Sequence, residues 1–246
     1  MTDSPSPNSS WPELAERLTN ALHPLAPPVA ITFLDALPVD VPAFETPMPQ
    51  PTPDGRTGRV AAGCVFWMHG AERTFSTVPA DHGNCSVGSY THGLLSLEEA
   101  ATNADICALV ESGWVRPEVF PTIPAVSTRP ASITYGPLAE TPTNPSVILL
   151  RLNAQGMMVV TDALPELRIE GKPQCHIIAV ALEHGRVAAS VGCALSRART
   201  GMGAHALTCA IPAAMATEVT ALVERAAGID DVVIHYAAED AQRFLR

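Results

Sequence analysis

Lysine is nearly missing from this chain of 246 residues: Lys172 is the single one, and Lys and Arg together number 15 against 25 Asp and Glu. The resulting net charge of -10 leaves no basic stripe to neutralise phosphates, which excludes nucleic acid as an expected partner. An acidic surface chiefly favours solubility. No apolar run reaches the ~18 residues of a membrane span, so no membrane association is expected. The opening MTDSPSPNSSWPE lacks both a positive n-region and an apolar h-region; residues 1–10 read as a disordered tail and the cytoplasm as the expected compartment. Several motifs are also absent: the CxxC knuckle, HExxH, the ferredoxin C-x2-C-x2-C run, G-x-S-x-G, the P-loop and G-x-G-x-x-G. Zinc fingers, zincins, serine hydrolases, NTPases and dinucleotide enzymes thereby lose their local signatures.

What remains is a globular composition, 47% apolar and 16% charged, long enough for one large domain. Residues 11–23 carry Leu14, Leu18 and Leu22 at helical spacing, stopped by Pro24. Val29–Leu34 is β-rich, 38–59 a Pro-rich loop or flap, and 59–69 apolar without a deciding period. A turn and strand follow in GAERTFSTV. SLEEAATNADICALVESG reads as one helix with Ser96 as N-cap, ASITYGPL as a strand at an edge, and SVILLRL (146–152) as the clearest strand of the chain. AQGMMVVTDAL and CHIIAVALEHG read as helical, RVAASVGCAL as a strand entering a turn, and AHALTCAIP as a strand. AAMATEVTALVERAAG forms a helix with Gly228 as its C-cap, after which DDVVIHYAAEDAQRFLR gives a strand and a short helix.

The two halves can be laid over each other. PPVAITFLDALP faces NPSVILLRLNAQG; GCVFWMHGAERTFSTV faces QCHIIAVALEHGRVAAS; CSVGSYTHGL faces CALSRARTGM; TIPAV faces AIPAA. The expected fold is therefore α/β, or α+β with a mixed sheet. Residues 11–246 make one domain built from two pseudo-symmetric halves, roughly 27–130 and 143–225.

A pseudo-twofold would bring equivalent loops together and make Cys64, Cys85, Cys175 and Cys193 a four-sulfur set. Cys107 and Cys209, in apolar element interiors, read as packing residues. Thiolates bind soft or borderline metals and attack electrophiles. Gly88 and Gly192, close to their cysteines, would let backbone N–H groups approach a sulfur or a bound cofactor. His82 and His92 are candidate ligands or bases, and Arg197 is a candidate counter-charge. Three readings stay open. In the first, the four cysteines hold an iron–sulfur cluster or another thiolate-bound metal, in a redox or small-molecule-activating role. In the second, a metal-free thiol enzyme uses Cys85 as nucleophile with His82 or His92 as base and Arg197 nearby. In the third, a binding module holds a small molecule between the halves. Whether the protein is an enzyme, and whether it forms a homo-oligomer, is left open.

The ordered set PPVAITF, GCVFW, HGNCSVGSYTHGL, NPSVILL, QCHII and SVGCALSRARTGM followed by AIP resembles the domain-of-unknown-function 169 family, the group labelled ArCR, over roughly residues 27–225. Its most specific pieces are Cys85–Gly88 (C-x-x-G) and Gly192–Arg197 (G-C-x-x-x-R). The resemblance implies cysteines at Cys64, Cys85, Cys175 and Cys193, and no particular reaction. The long 38–59 loop and Ala198 depart from the family pattern.

Overall fold

Leu14, Leu18 and Leu22 put three leucines on one face of the first helix, and that face is fully buried. At ~1.5–3 kcal/mol per buried leucine, their burial anchors the helix more strongly than its propensity does. This helix, α1 (Trp11–Leu22), starts at Ser10, whose hydroxyl caps Glu13 N–H, and ends at His23 in the left-handed region. The computed structural model describes residues 10–45, 63–83 and 85–244. The expected tail at 1–9 and most of the 38–59 loop lie outside the described residues.

The remaining elements follow in chain order. They are β1 (Val29–Leu34), α2 (Gly63–Gly70), β2 (Phe75–Thr77), α3 (Ser86–Thr91), α4 (Leu97–Ala101), α5 (Ala104–Glu111), β3 (Ser132–Pro137) and β4 (Val147–Leu152). The second part continues with α6 (Ala154–Ala163), β5 (Arg168–Glu170), α7 (His176–His184), β6 (Ala188–Ser190), α8 (Ala194–Thr200), β7 (Leu207–Pro212) and α9 (Ala216–Phe244). Among the described residues the strands form one mixed sheet in the order β2-β3-β1-β4-β7-β6-β5. Every pairing is antiparallel except β5 with β6. Central strands β1 and β4 meet through Val29–Leu149, Ala30–Ile148 and Ile31–Val147. Alternation along these strands sends Ile31 and Leu149 to one face and Ala30 and Ile148 to the other, so both faces need cover. One core joins Ile31 and Leu149 to Phe66, Trp67 and Ile177 from the helices α2 and α7. The other joins Ala30 and Ile148 to Leu18 of α1, Val160 of α6 and Val219 of α9. The result is a mixed α/β layered domain. No helix among the described residues is long and apolar enough to cross a membrane.

In chain order both parts contain a strand (β1, β4), a helix with a cysteine at its start (α2, α7), a short strand (β2, β6), a helix capped by a cysteine (α3, α8) and a strand running into a 3-10 turn (β3, β7), with α4 and α5 inserted before β3 and α6 and β5 inserted after β4. In the sheet β3 and β2 lie outward of β1 as β7 and β6 lie outward of β4, and β5 extends the second side alone.

Several local expectations are corrected. β3 is not an edge strand but lies between β2 and β1. The helix expected over 96–113 is two, α4 and α5, broken at Thr102 and Asn103. Gly228 does not end the last helix. α9 runs straight through it to Phe244, so the strand expected after it does not form. Cys107 is exposed rather than a packing residue, whereas Cys209 is fully buried in β7.

Candidate functional site

Each of the four paired cysteines stands at the start of a helix. Cys64 is in the first turn of α2. Cys85 is the N-cap of α3, its Sγ accepting the Gly88 N–H at 3.4 Å. Cys175 immediately precedes α7. Cys193 is the N-cap of α8, its Sγ accepting the Ser196 N–H at 3.4 Å. A thiol at this position takes the place of the usual serine or aspartate cap and sits at the positive end of the helix dipole. The spacing that puts a cap acceptor three residues before a free N–H is what CSVG and CALS share.

All four cysteines line one small cavity of about 20 Å³, room for about one water-sized guest. Positions 64 and 193 are more than 120 residues apart by subtraction (193 − 64 = 129), so only tertiary folding brings them together. Side chains of one half reach cysteines of the other. The Ser196 hydroxyl stands beside Cys64, Thr91 beside Cys175, and the Arg199 guanidinium beside Cys85. Gln174 donates through Nε2 to the Ser196 hydroxyl and lines the same cavity. Trp114 and Pro173 complete the wall. Lys172 lies 4.5 Å over the Trp114 ring and donates to the Trp114 carbonyl, pinning the two wall segments together.

Burial dominates the electrostatics. It pushes the Cys64 thiol from 9.0 up to about 11, with the neighbouring Ser196 opposing the rise. Cys175 is driven up further for the same reason. Cys85 is also raised by burial, but Arg199 and the Gly88 N–H oppose the rise. At neutral pH Cys64, Cys85 and Cys175 are therefore thiols in the unliganded cavity. Among the described residues no three His, Cys, Asp or Glu side chains stand close enough together to hold a metal ion as they lie.

The other candidates go elsewhere. Neither His82 nor His92 lines the thiol cavity. His82 Nε2 is 2.9 Å from Thr77 Oγ1, whose own proton goes to the Ile133 carbonyl. Nε2 therefore carries the hydrogen, and Nδ1 is a bare acceptor with no partner among the described residues. His92 Nδ1 is 2.8 Å from the Gly88 carbonyl, which can only accept. Its Nε2 is thus the bare nitrogen, again without a partner among the described residues. Burial holds His82 well below 6.5 and takes His92 from 6.5 to about 4. Both imidazoles are neutral, packed 6.2 Å apart behind α2. Arg197 donates to the carbonyls of Gly203, Val191 and Ala206 and so ties α8 to its flanking loops. The cation in the cavity wall is Arg199. Gly88 lines the cavity. Gly192, at φ +99, leaves the space that Arg197 fills: a Cβ there would lie 3.0 Å from Arg197 Nη2 and 3.2 Å from Gln174 Oε1.

Arg199, Ser196, Thr91, Gln174 and Trp114 are thus wall or contact residues that the motifs do not single out. The one local signal for Ser196 is the cap spacing Cys193-x-x-Ser196.

The family model described as uncharacterised ArCR, DUF169, matches residues 17–221. No curated protein and no solved structure matches the chain.

Proposed function

The chain belongs to the DUF169 (ArCR) family, and from that premise we propose that it holds a thiolate-ligated metal centre, an iron–sulfur cluster or a single thiophilic ion, through Cys64, Cys85, Cys175 and Cys193. One observation carries this reading: four cysteines from four separate helix starts line one cavity, while Cys107 and Cys209 lie outside it. The strand order, β3 then β2 outward from β1 and β7 then β6 outward from β4, with β5 added at one edge, is the arrangement two copies of one unit would give after one insertion, each contributing two sulfurs. It supports the pseudo-symmetric two-half reading of residues 27–130 and 143–225.

The residues present fit such a group chemically. Cysteine sulfur suits Zn²⁺, Cu⁺ and iron–sulfur clusters. N–H groups already bonded to Cys85 and Cys193 would stabilise ligating thiolates, and Arg199 offsets part of their charge. The sulfurs do not stand within ligating reach as they lie, so uptake requires the cysteine side chains to move toward one another. Each ligating thiol releases its proton to solvent, so uptake weakens as pH falls. When bound, the centre supplies electron transfer or Lewis-acid chemistry, and the apolar wall excludes bulk water.

Anaerobic purification followed by elemental analysis and an absorption spectrum tests the proposal. The expected result is one centre per chain with a visible band if it is iron–sulfur. Cys→Ser at any of the four positions should lower metal content at least several-fold, with Cys107→Ser unchanged. A folded, metal-free protein that takes up neither iron with sulfide nor zinc overturns it.

A second reading, a metal-free thiol enzyme with Cys85 as nucleophile, is favoured by Arg199 beside that sulfur alone. It requires iodoacetamide at neutral pH to label Cys85 faster than exposed Cys107, and the absence of a histidine from the cavity wall weighs against a base.

A further inference from the structure

The final helix carries a second apolar face that the fold does not use. Val219 and Val223 of α9 are buried against α1 and α6. Beyond Gly228 the helix borders the body only along a groove that Asp231 and Ile234 share with α1 and α6, and residues 231–239 are all exposed. There Ile229, Val232, Val233 and Tyr236 recur at i, i+3, i+4 and i+7. That is one stripe, turned about a quarter of the way round the helix from the buried face at 100° per residue. Tyr236 is 75% exposed and Val232 71%. A projecting helix of this length is marginal alone in water, and four large apolar residues in a row on its surface mark an interaction face.

The charges select the occupant. We propose that this stripe pairs antiparallel with the same stripe of a second copy of the chain, about a dyad between Val232 and Val233. In that register Ile229 of each copy packs on Tyr236 of the other, and the Val232–Val233 steps face each other. Arg225, exposed and at the edge of the stripe, falls opposite Asp240 of the second copy, because 225 and 240 are equally far from the dyad; Asp240 also lies 3.4 Å from Arg243 of its own helix, so the carboxylate is shared between the two. Each ion pair occurs twice, as an isologous contact requires, and the two cap a seam of four apolar residues. Between 225 and 243 the helix has four acidic residues against Arg225 and Arg243. An anionic membrane surface or a nucleic acid is therefore repelled, since both select basic flanks. The thiol cavity lies under the opposite face of the sheet, so this pairing is independent of any metal centre.

Sedimentation or light scattering on the full chain tests it. Wild type should run at twice 25.9 kDa. Val232→Asp with Val233→Asp should raise the dissociation constant at least ~100-fold while the body keeps its cooperative thermal transition, since both sites are exposed and belong to neither core. Arg225→Glu alone and Asp240→Arg alone should each raise it ~10-fold, and the double swap should restore it. A wild-type monomer at hundreds of micromolar overturns the proposal. So does a dimer indifferent to the valine substitutions, or a charge swap that the second swap fails to rescue.

Discussion

A methyl group on Gly63 would lie 2.7 Å from both Cε1 and Nε2 of His92, closer than any real Cβ contact. Gly63→Ala should therefore cost ~1–3 kcal/mol, read as a shift of the urea midpoint, and should displace the neighbouring Cys64. The same imidazole sets an acid limit. His92 is lowered from 6.5 to about 4 by burial, so its contribution is intact above pH 6.5 and is lost as pH falls through 4. Thermal melts should show ~3 kcal/mol lost across that window from this group. The thiols set the opposite limit. Cys64 is raised from 9.0 to about 11 by burial, so its contribution in unliganded protein is intact below pH 9 and is lost as pH rises through 11. At this scale the cysteine set was legible because the same short pattern occurs twice. The swap of Arg197 for Arg199 was not. Arg197 is captured by the Val191, Gly203 and Ala206 carbonyls, and the positions of carbonyls on either side of α8 are set by the folded loops.

Among the elements, the Ser96 cap was readable, whereas the Asn153 cap and the continuation of α9 were not. Asn153 Oδ1 accepts the Gly156 N–H at 2.9 Å at the start of α6, and Asn153→Ala should cost ~1 kcal/mol, measured by chemical denaturation. Gly228 looks like a stop because glycine favours the position after a helix. In α9 it is an interior residue with nothing within 4 Å of a built Cβ and no positive φ. Gly228→Ala should therefore stabilise the protein by ~0.5–1 kcal/mol, visible as a higher melting temperature. The apolar run at 63–69 gave no period because α2 is buried on nearly all sides, and burial all round erases the polar stripe that identifies a helix. β3 looked peripheral for lack of neighbours in sequence; its partners β1 and β2 precede it by tens of residues.

Over the whole molecule the central seam joins the halves covalently distant from each other. β1 pairs with β4, α1 packs on α9 and α6, and Arg17 of α1 holds Glu224 of α9 through two bonds of 2.8 and 2.6 Å. A chain ending at residue 143 would leave β1 with an open edge and α1 without its main cover. Expressed alone it should lack a cooperative unfolding transition, whereas both halves co-expressed should recover one; thermal melts followed by circular dichroism check this.

By itself the sequence determined the α/β composition, the Ser96 cap and the identity of the four cysteines. Those follow from interactions within a few residues, where period and cap spacing act directly. The folded chain alone decided that the four sulfurs share one cavity, that Arg199 faces it, and that His82 and His92 stay out of it with their bare nitrogens buried. Each of these depends on strand order and helix packing, contacts whose partners lie a hundred residues away and whose free energy no local pattern records.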